Sequence, residues 1–240
     1  MRILVVGDSC IDKFIYCDIS RLCPEAPVPV LNPISETENP GMAANVVENF
    51  KSLSCETYII TNHSPIKKTR YIDEKSGQMI MRFDENDSAA ECEVDFKKYL
   101  KQYKFDAVVI SDYNKGFLTE SMIKIITDEC KCPTFLDTKK KLGAWCEKIS
   151  FIKINEPEWI INEEYSHSNV IVTKGSRGAT YRDSTYETDP VKVSNVSGAG
   201  DTFLAGLVYK YVDTKLISNS IDFANKCASE VVQKRGVVTI

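Results

Sequence analysis

The chain has 240 residues, enough for one large α/β domain with a full hydrophobic core. With 43% hydrophobic and 27% charged residues and a formal net charge of -4, it lacks the dense basic footprint of a nucleic-acid or anionic-membrane surface. No stretch approaches the length of a membrane span.

The amino terminus, MRILVVGD, has too short an apolar run before Gly7 for a signal peptide. The 9 cysteines are odd in number and irregularly spaced, and the only histidines are His63 and His167. That inventory offers little to zinc and fits small core thiols in a reducing cytoplasm.

In chain order, short apolar runs at 3–7, 57–61, 107–111, 134–138, 151–155 and 170–174 read as buried strands. Helical stripes lie between and after them: Ala43, Val46, Val47 and Phe50; Phe96, Tyr99, Leu100 and Tyr103. Phe203, Leu204, Leu207, Val208 and Tyr211 form a third, and Ile221, Ala224, Ala228, Val231 and Val232 a fourth. The alternation predicts a doubly wound, mostly parallel sheet with helices on both faces, which binds ligands at the carboxyl ends of its strands. Two segments break the pattern. VPVLNPISETENPG and KKTRYIDEKSGQMIMRFD alternate at period two, the second around a Glu74-Lys75-Ser76-Gly77 turn. They read as a small β lid over about residues 25–40 and 66–86 of a single domain.

SNVSGAGDTFLAGL, residues 194–207, places two glycines directly before an acid at a helix start. One reading is a turn and a helix-capping aspartate. The other is a phosphate site: glycine lets backbone amides approach an anion at a helix amino terminus, and Asp201 takes the proton of an attacking hydroxyl. Spacing alone leaves the two open.

VSGAGDTFLAGL resembles the carboxy-terminal signature of the ribokinase-like (PfkB) carbohydrate kinases, and the order of the other segments fits: VVGDSCID, GMAAN, NEPE (155–158) and TKGSRG (173–178). SRLCPEAPVPVL, ISDYNKGFL and FANKCASEVV are similar, more narrowly, to the heptose 7-phosphate kinase domains of bacterial ADP-heptose synthases. The resemblance implies an ATP- and Mg²⁺-dependent transfer of the γ-phosphate to a hydroxyl of a sugar or sugar phosphate. It implies Asp201 as base, with Gly198, Ala199 and Gly200 as the amide pocket. Asp12, Gly41 and Asn45 would hold the acceptor's hydroxyls; Lys68, Arg70 and Arg82 from the lid, with Asp112 and Lys115, would complete its site. Asn155 and Glu158 would organise Mg²⁺ and phosphate, and NEPE also reads as a capping box. Thr173, Lys174, Gly175, Gly178 and Asn225 would border the nucleotide.

The chain also departs from that family. Only NHSPI separates the strand at 57–61 from the lid, where the family has a further helix and strand, so an edge unit of the sheet should be missing. Met42 stands where the family has a second glycine, and the sequence stops at Ile240 without the nucleotidyltransferase domain of the bifunctional synthases. A silent sugar- or nucleotide-binding protein, or a kinase for another sugar or a nucleoside, is the alternative; a pure binder would not need Asp201. Pairing of lids across a homodimer is a further expectation.

Overall fold

A computed structural model describes residues 1–165, 168–234 and 236–240; His167 lies outside the described residues. Its main sheet begins with β1 (Arg2–Gly7) and continues through β4 (Glu56–Ile60), β7 (Ala107–Asp112), β8 (Thr134–Thr138), β9 (Phe151–Asn155), β10 (Val170–Thr173), β11 (Ala179–Tyr181) and β12 (Ser184–Tyr186). Strand order is β12-β11-β10-β9-β8-β7-β1-β4, parallel from β10 to β4, with β11 and β12 antiparallel.

Both faces are covered. The apolar stripes of α1 (Ala43–Ser52), α5 (Ala199–Thr214) and α6 (Ile217–Val231) bury Val46, Phe50, Phe203, Leu207 and Ile221 against Ile3 and Val5 of β1. On the other face α2 (Phe96–Gln102) and α3 (Glu120–Glu129) press Phe96, Ile123 and Ile126 onto Leu4, Val6, Val108 and Ile110. Alternate residues of β1 thus enter opposite cores, which is why the strand is apolar at every position. A short helix, α4 (Glu156–Ile160), follows β9.

A second sheet gathers the segments read as a lid: β2 (Ser9–Asp18), β3 (Asn32–Met42), β5 (Ile66–Asp73) and β6 (Met79–Glu85), in the order β3-β2-β5-β6. The expected hairpin is there, pairing β5 antiparallel to β6. The strand carrying Asp12 departs from expectation. β1 stops at Gly7, and Asp12 belongs to β2, the central lid strand. Within β2, Cys10, Asp12 and Phe14 are buried and the residues between them less so, the period-two signature of a one-faced strand, and a register shift at Tyr16/Cys17 accompanies the burial of Cys17.

The strand expected at 57–61 forms, but as the half-exposed sheet edge β4, from which the chain passes directly into the lid. Among the described residues no further strand lies outside it, so Ile59 is 40% exposed. Met42 is buried among Cys10 and Ile66 and adopts φ 58°, a backbone state that favours glycine.

Candidate active site

Asp201 sits in the first turn of α5, 4% exposed. It does not cap the helix: its oxygens are engaged by other elements. Asn45 of α1 donates from Nδ2 to Oδ2 at 2.9 Å, and Tyr113, just after β7, donates from its phenol to Oδ1 at 2.8 Å. Burial pushes the Asp201 carboxyl up to about 6 against the lowering pull of those two donors, with Asp137 adding to the rise and Lys153 opposing it. A carboxylate that titrates near neutrality suits general-base work.

The glycines around it are there for space. Gly198 adopts φ 81° at the helix start, where a Cβ would stand 2.8 Å from the Asn45 amide. A Cβ on Gly200 would come within 3.0 Å of Lys153 Nζ, in a cleft of about 370 Å³ that Lys139, Lys174 and Asn155 also line. Gly200, Thr173 and Gly175 are shared with a second cleft of about 200 Å³, walled by Val191, Val193, Val196, Phe203 and Val232. Ala199, Gly178 and Asn225 line this apolar slot, although Asn225 spends its amide on the Tyr186 carbonyl at 2.9 Å. Lys174 N–H donates to the Gly178 carbonyl at 2.7 Å, so 174–178 is a tight turn as well as a wall.

Asn155 and Glu158 form the capping box of α4 in full, and Glu158 also pairs with Lys139. Between them and Asp201 lies an ion pair that sequence reasoning missed: Lys153 Nζ to Asp137 Oδ2 at 2.6 Å, both nearly buried. Burial works against the charged lysine, but the Asp137 carboxylate outweighs it and holds Lys153 above its usual value. The available clue was a charge inside each apolar strand, FIKIN and TFLDT.

On the lid side, ladder register places Asn39, Asp12, Lys68 and Asp84 in one row across the sheet, and Thr37, Phe14, Arg70 and Arg82 in the next. Directly opposed residues share a face, so the three expected cations do converge. They arrive with acids. Arg70 pairs with Asp12 at 2.5 Å and Arg82 grips Asp84 with both ends of its guanidinium. Lys68, 7% exposed, has no ion pair among the described residues and stands 5.5 Å over the Tyr113 ring. Gly41 backs the Asp12 carboxylate.

Asp112 and Lys115 lie at and just past the end of β7, each in an ion pair. Asp112 accepts from Thr138 and Lys140, tying the ends of β7 and β8 together, because both strands deliver their loops to the same edge. Lys115 pairs with Asp87 at 2.5 Å. Asn45, expected on the acceptor, donates its amide to Asp201.

A model of the family described as pfkB family carbohydrate kinase matches residues 51–240. The chain is 30% identical over 291 aligned residues to "Bifunctional protein HldE" of a Nitratiruptor species, covering 99% of this chain and 63% of that relative. The protein of the same name from Campylobacter jejuni subsp. doylei is 28% identical over 290 residues, covering 100% and 62%. This chain thus spans less than two thirds of those relatives, and the alignments are longer than its 240 residues, so they hold stretches with no counterpart here. Among solved structures, Arabidopsis thaliana ribokinase complexed with ribose and ATP superposes with a TM-score of 0.75 at 16% identity, covering 98% of this chain and 93% of that one. Escherichia coli phosphofructokinase-2 in complex with potassium gives 0.73 at 16%, covering 98% and 94%. Those two establish the ribokinase-like fold. The match over 51–240 establishes more: the chain belongs to the pfkB family of carbohydrate kinases, phosphotransferases with an alcohol group as acceptor.

Proposed function

We propose that this protein transfers the γ-phosphate of ATP to a hydroxyl of a sugar that already carries a phosphate, with a heptose 7-phosphate as the leading acceptor. The observation that carries it is the position of Asp201, buried where the lid's polar face meets the cleft lined by Gly200 and Lys153. Asp201 draws the proton from the acceptor hydroxyl, while the amide of Gly200, with Lys153, faces the charge that builds on the transferring group; the Ala199 N–H is donated to the Val196 carbonyl at 3.3 Å.

The residues fit a nucleotide. A flat base suits the valine-walled slot, and the adjoining cleft carries Lys139, Lys153 and Lys174 for phosphates. No group of three or more His, Cys, Asp or Glu converges among the described residues, which suits a Mg²⁺ held chiefly by nucleotide oxygens and water, with Glu158 as the protein's share. When bound, ATP supplies the phosphoryl group and Mg²⁺ neutralises its charge.

Support for a phosphorylated acceptor comes from Lys68. A buried ammonium without an ion pair among the described residues is costly, and an acceptor phosphate would satisfy it. The narrow resemblance to heptose 7-phosphate kinase domains favours that sugar, and the HldE relatives are in keeping with it. The lid's other face exposes Met81 and Phe83, which favours pairing of two copies there. Unpaired cysteines fit a cytoplasmic setting. A screen of phosphorylated and free sugars for ADP release tests the reading: release with a heptose 7-phosphate supports it, and equal rates on the free sugar would remove the phosphate requirement.

A further inference from the structure

We propose that Tyr113 is a positioning residue for Asp201: its phenol fixes the carboxylate that receives the acceptor's proton, and the turn carrying it is set in turn by Asp8. The inference rests on Asp201 acting as the base. It concerns a residue to which sequence reasoning assigned no role.

A carboxylate at the end of one torsion rotates unless both oxygens are tied. Here Asn45 ties Oδ2 and Tyr113 ties Oδ1, from opposite parts of the fold, which leaves each oxygen a lone pair for a hydroxyl. The tyrosine is itself held. Its ring packs with Cys10, Met42 and Ile66, and Lys68 and Lys139 stand over it at 5.5 and 5.4 Å. Its backbone N–H donates to Asp8 Oδ2 at 2.7 Å, and Lys115 N–H reaches the same oxygen at 3.4 Å.

Asp8 is wholly buried, and its other oxygen has no hydrogen-bond partner among the described residues. A buried carboxylate with one oxygen unanswered by the protein is expensive to keep. Its observed contacts are with the backbone of the turn that bears Tyr113, and Asn114 completes that turn at φ 57°. Burial and the neighbouring Asp112 raise the Asp8 carboxyl, against the pull of those amides.

The test is Tyr113→Phe, which keeps the ring and removes the donor. Besides Asn45 and Tyr113, the groups facing Asp201 are Asp137 from β8, Lys153 from β9 and Cys10 from β2, all unchanged by the substitution. Turnover should fall roughly tenfold or more with the KM for ATP within about twofold. The acid limb of kcat/KM should move up by about half a pH unit or more, since a donor that favoured the charged carboxylate is gone. The Asp201 carboxyl, followed by carbon-13 resonance titration and assigned by its loss in Asp201→Asn, should move the same way; this reading needs no substrate. Asp8→Asn, a second variant, should move both in the same direction. Lost turnover with both titrations unmoved would make Tyr113 merely structural, and unchanged turnover and titrations would overturn the proposal outright. If the parent protein phosphorylates no sugar while the carboxyl titration still shifts, the positioning stands and it is the base assignment that fails.

Discussion

In the slot proposed for the nucleotide's base the walls are Val191, Val193, Val196 and Val232, with few charges to satisfy. On the acceptor side nearly every polar group faces another: Arg70 holds Asp12, Arg82 holds Asp84, and Asn45 and Tyr113 hold Asp201. Apolar walls stand empty at little cost, whereas buried charges do not. Under the proposed function, a base enters a slot that is already formed, whereas the acceptor exchanges partners with the protein as it binds. Selectivity belongs on the side where a wrong ligand leaves a buried charge unpaired.

The sharpest way to break this contrast is at the point where the two sides meet. Asp201→Asn should lower turnover by roughly 10²–10⁴-fold while ATP affinity, read by calorimetry, stays within about twofold. Near-parent turnover would reduce Asp201 to a structural acid. Next in size is the acceptor side alone. Lys68→Ala and Arg70→Ala should each raise KM for a phosphorylated acceptor by roughly tenfold to a hundredfold and leave KM for ATP nearly unchanged. Parallel rises in both would erase the distinction between the two sides.

A pH series has the same purpose. Asp201 must be ionised to take a proton, and its carboxyl is raised to about 6, so kcat/KM should fall roughly tenfold per unit below that point while ATP binding is less affected. A flat profile down to about pH 5 would exclude Asp201 as the titrating group. On the nucleotide side, Asn225→Ala frees the Tyr186 carbonyl and should raise KM for ATP by only a few-fold.

The smallest effect concerns stability. Because Met42 has φ 58°, Met42→Gly should be more stable than Met42→Ala by about 1 kcal/mol, the reverse of the usual order for these residues. Chemical denaturation of the pair decides it.

What could be read from the chain, and what could not, follows the same divide between local and distant. The start of α5 was legible because glycine, glycine and acid within a few residues constrain backbone and charge together. The β5–β6 hairpin was legible from its turn residues. The lid's central strand was not, because β2 follows β1 after a single residue and its alternating pattern reads as a continuation of the same segment. The donors to Asp201 were out of reach: Asn45 lies 156 residues from it and Tyr113 88 residues away, and no local spacing reports such a contact. Asp112 shows the opposite case. Its place at a strand end was legible, but its contacts with Lys140 and Thr138, which arrive at the same edge, were not.

The passage from β3 to α1 has a mechanical consequence. The strand ends at Met42 and the helix begins at Ala43, with no residue between them to act as slack. Asn45, in the first turn of that helix, grips the Asp201 carboxylate. The second sheet is thus joined to the Asp201 carboxylate through a rigid link of about one helical turn. Under the proposed function, closing the second sheet over an acceptor and bringing Asp201 into line would be two ends of one movement.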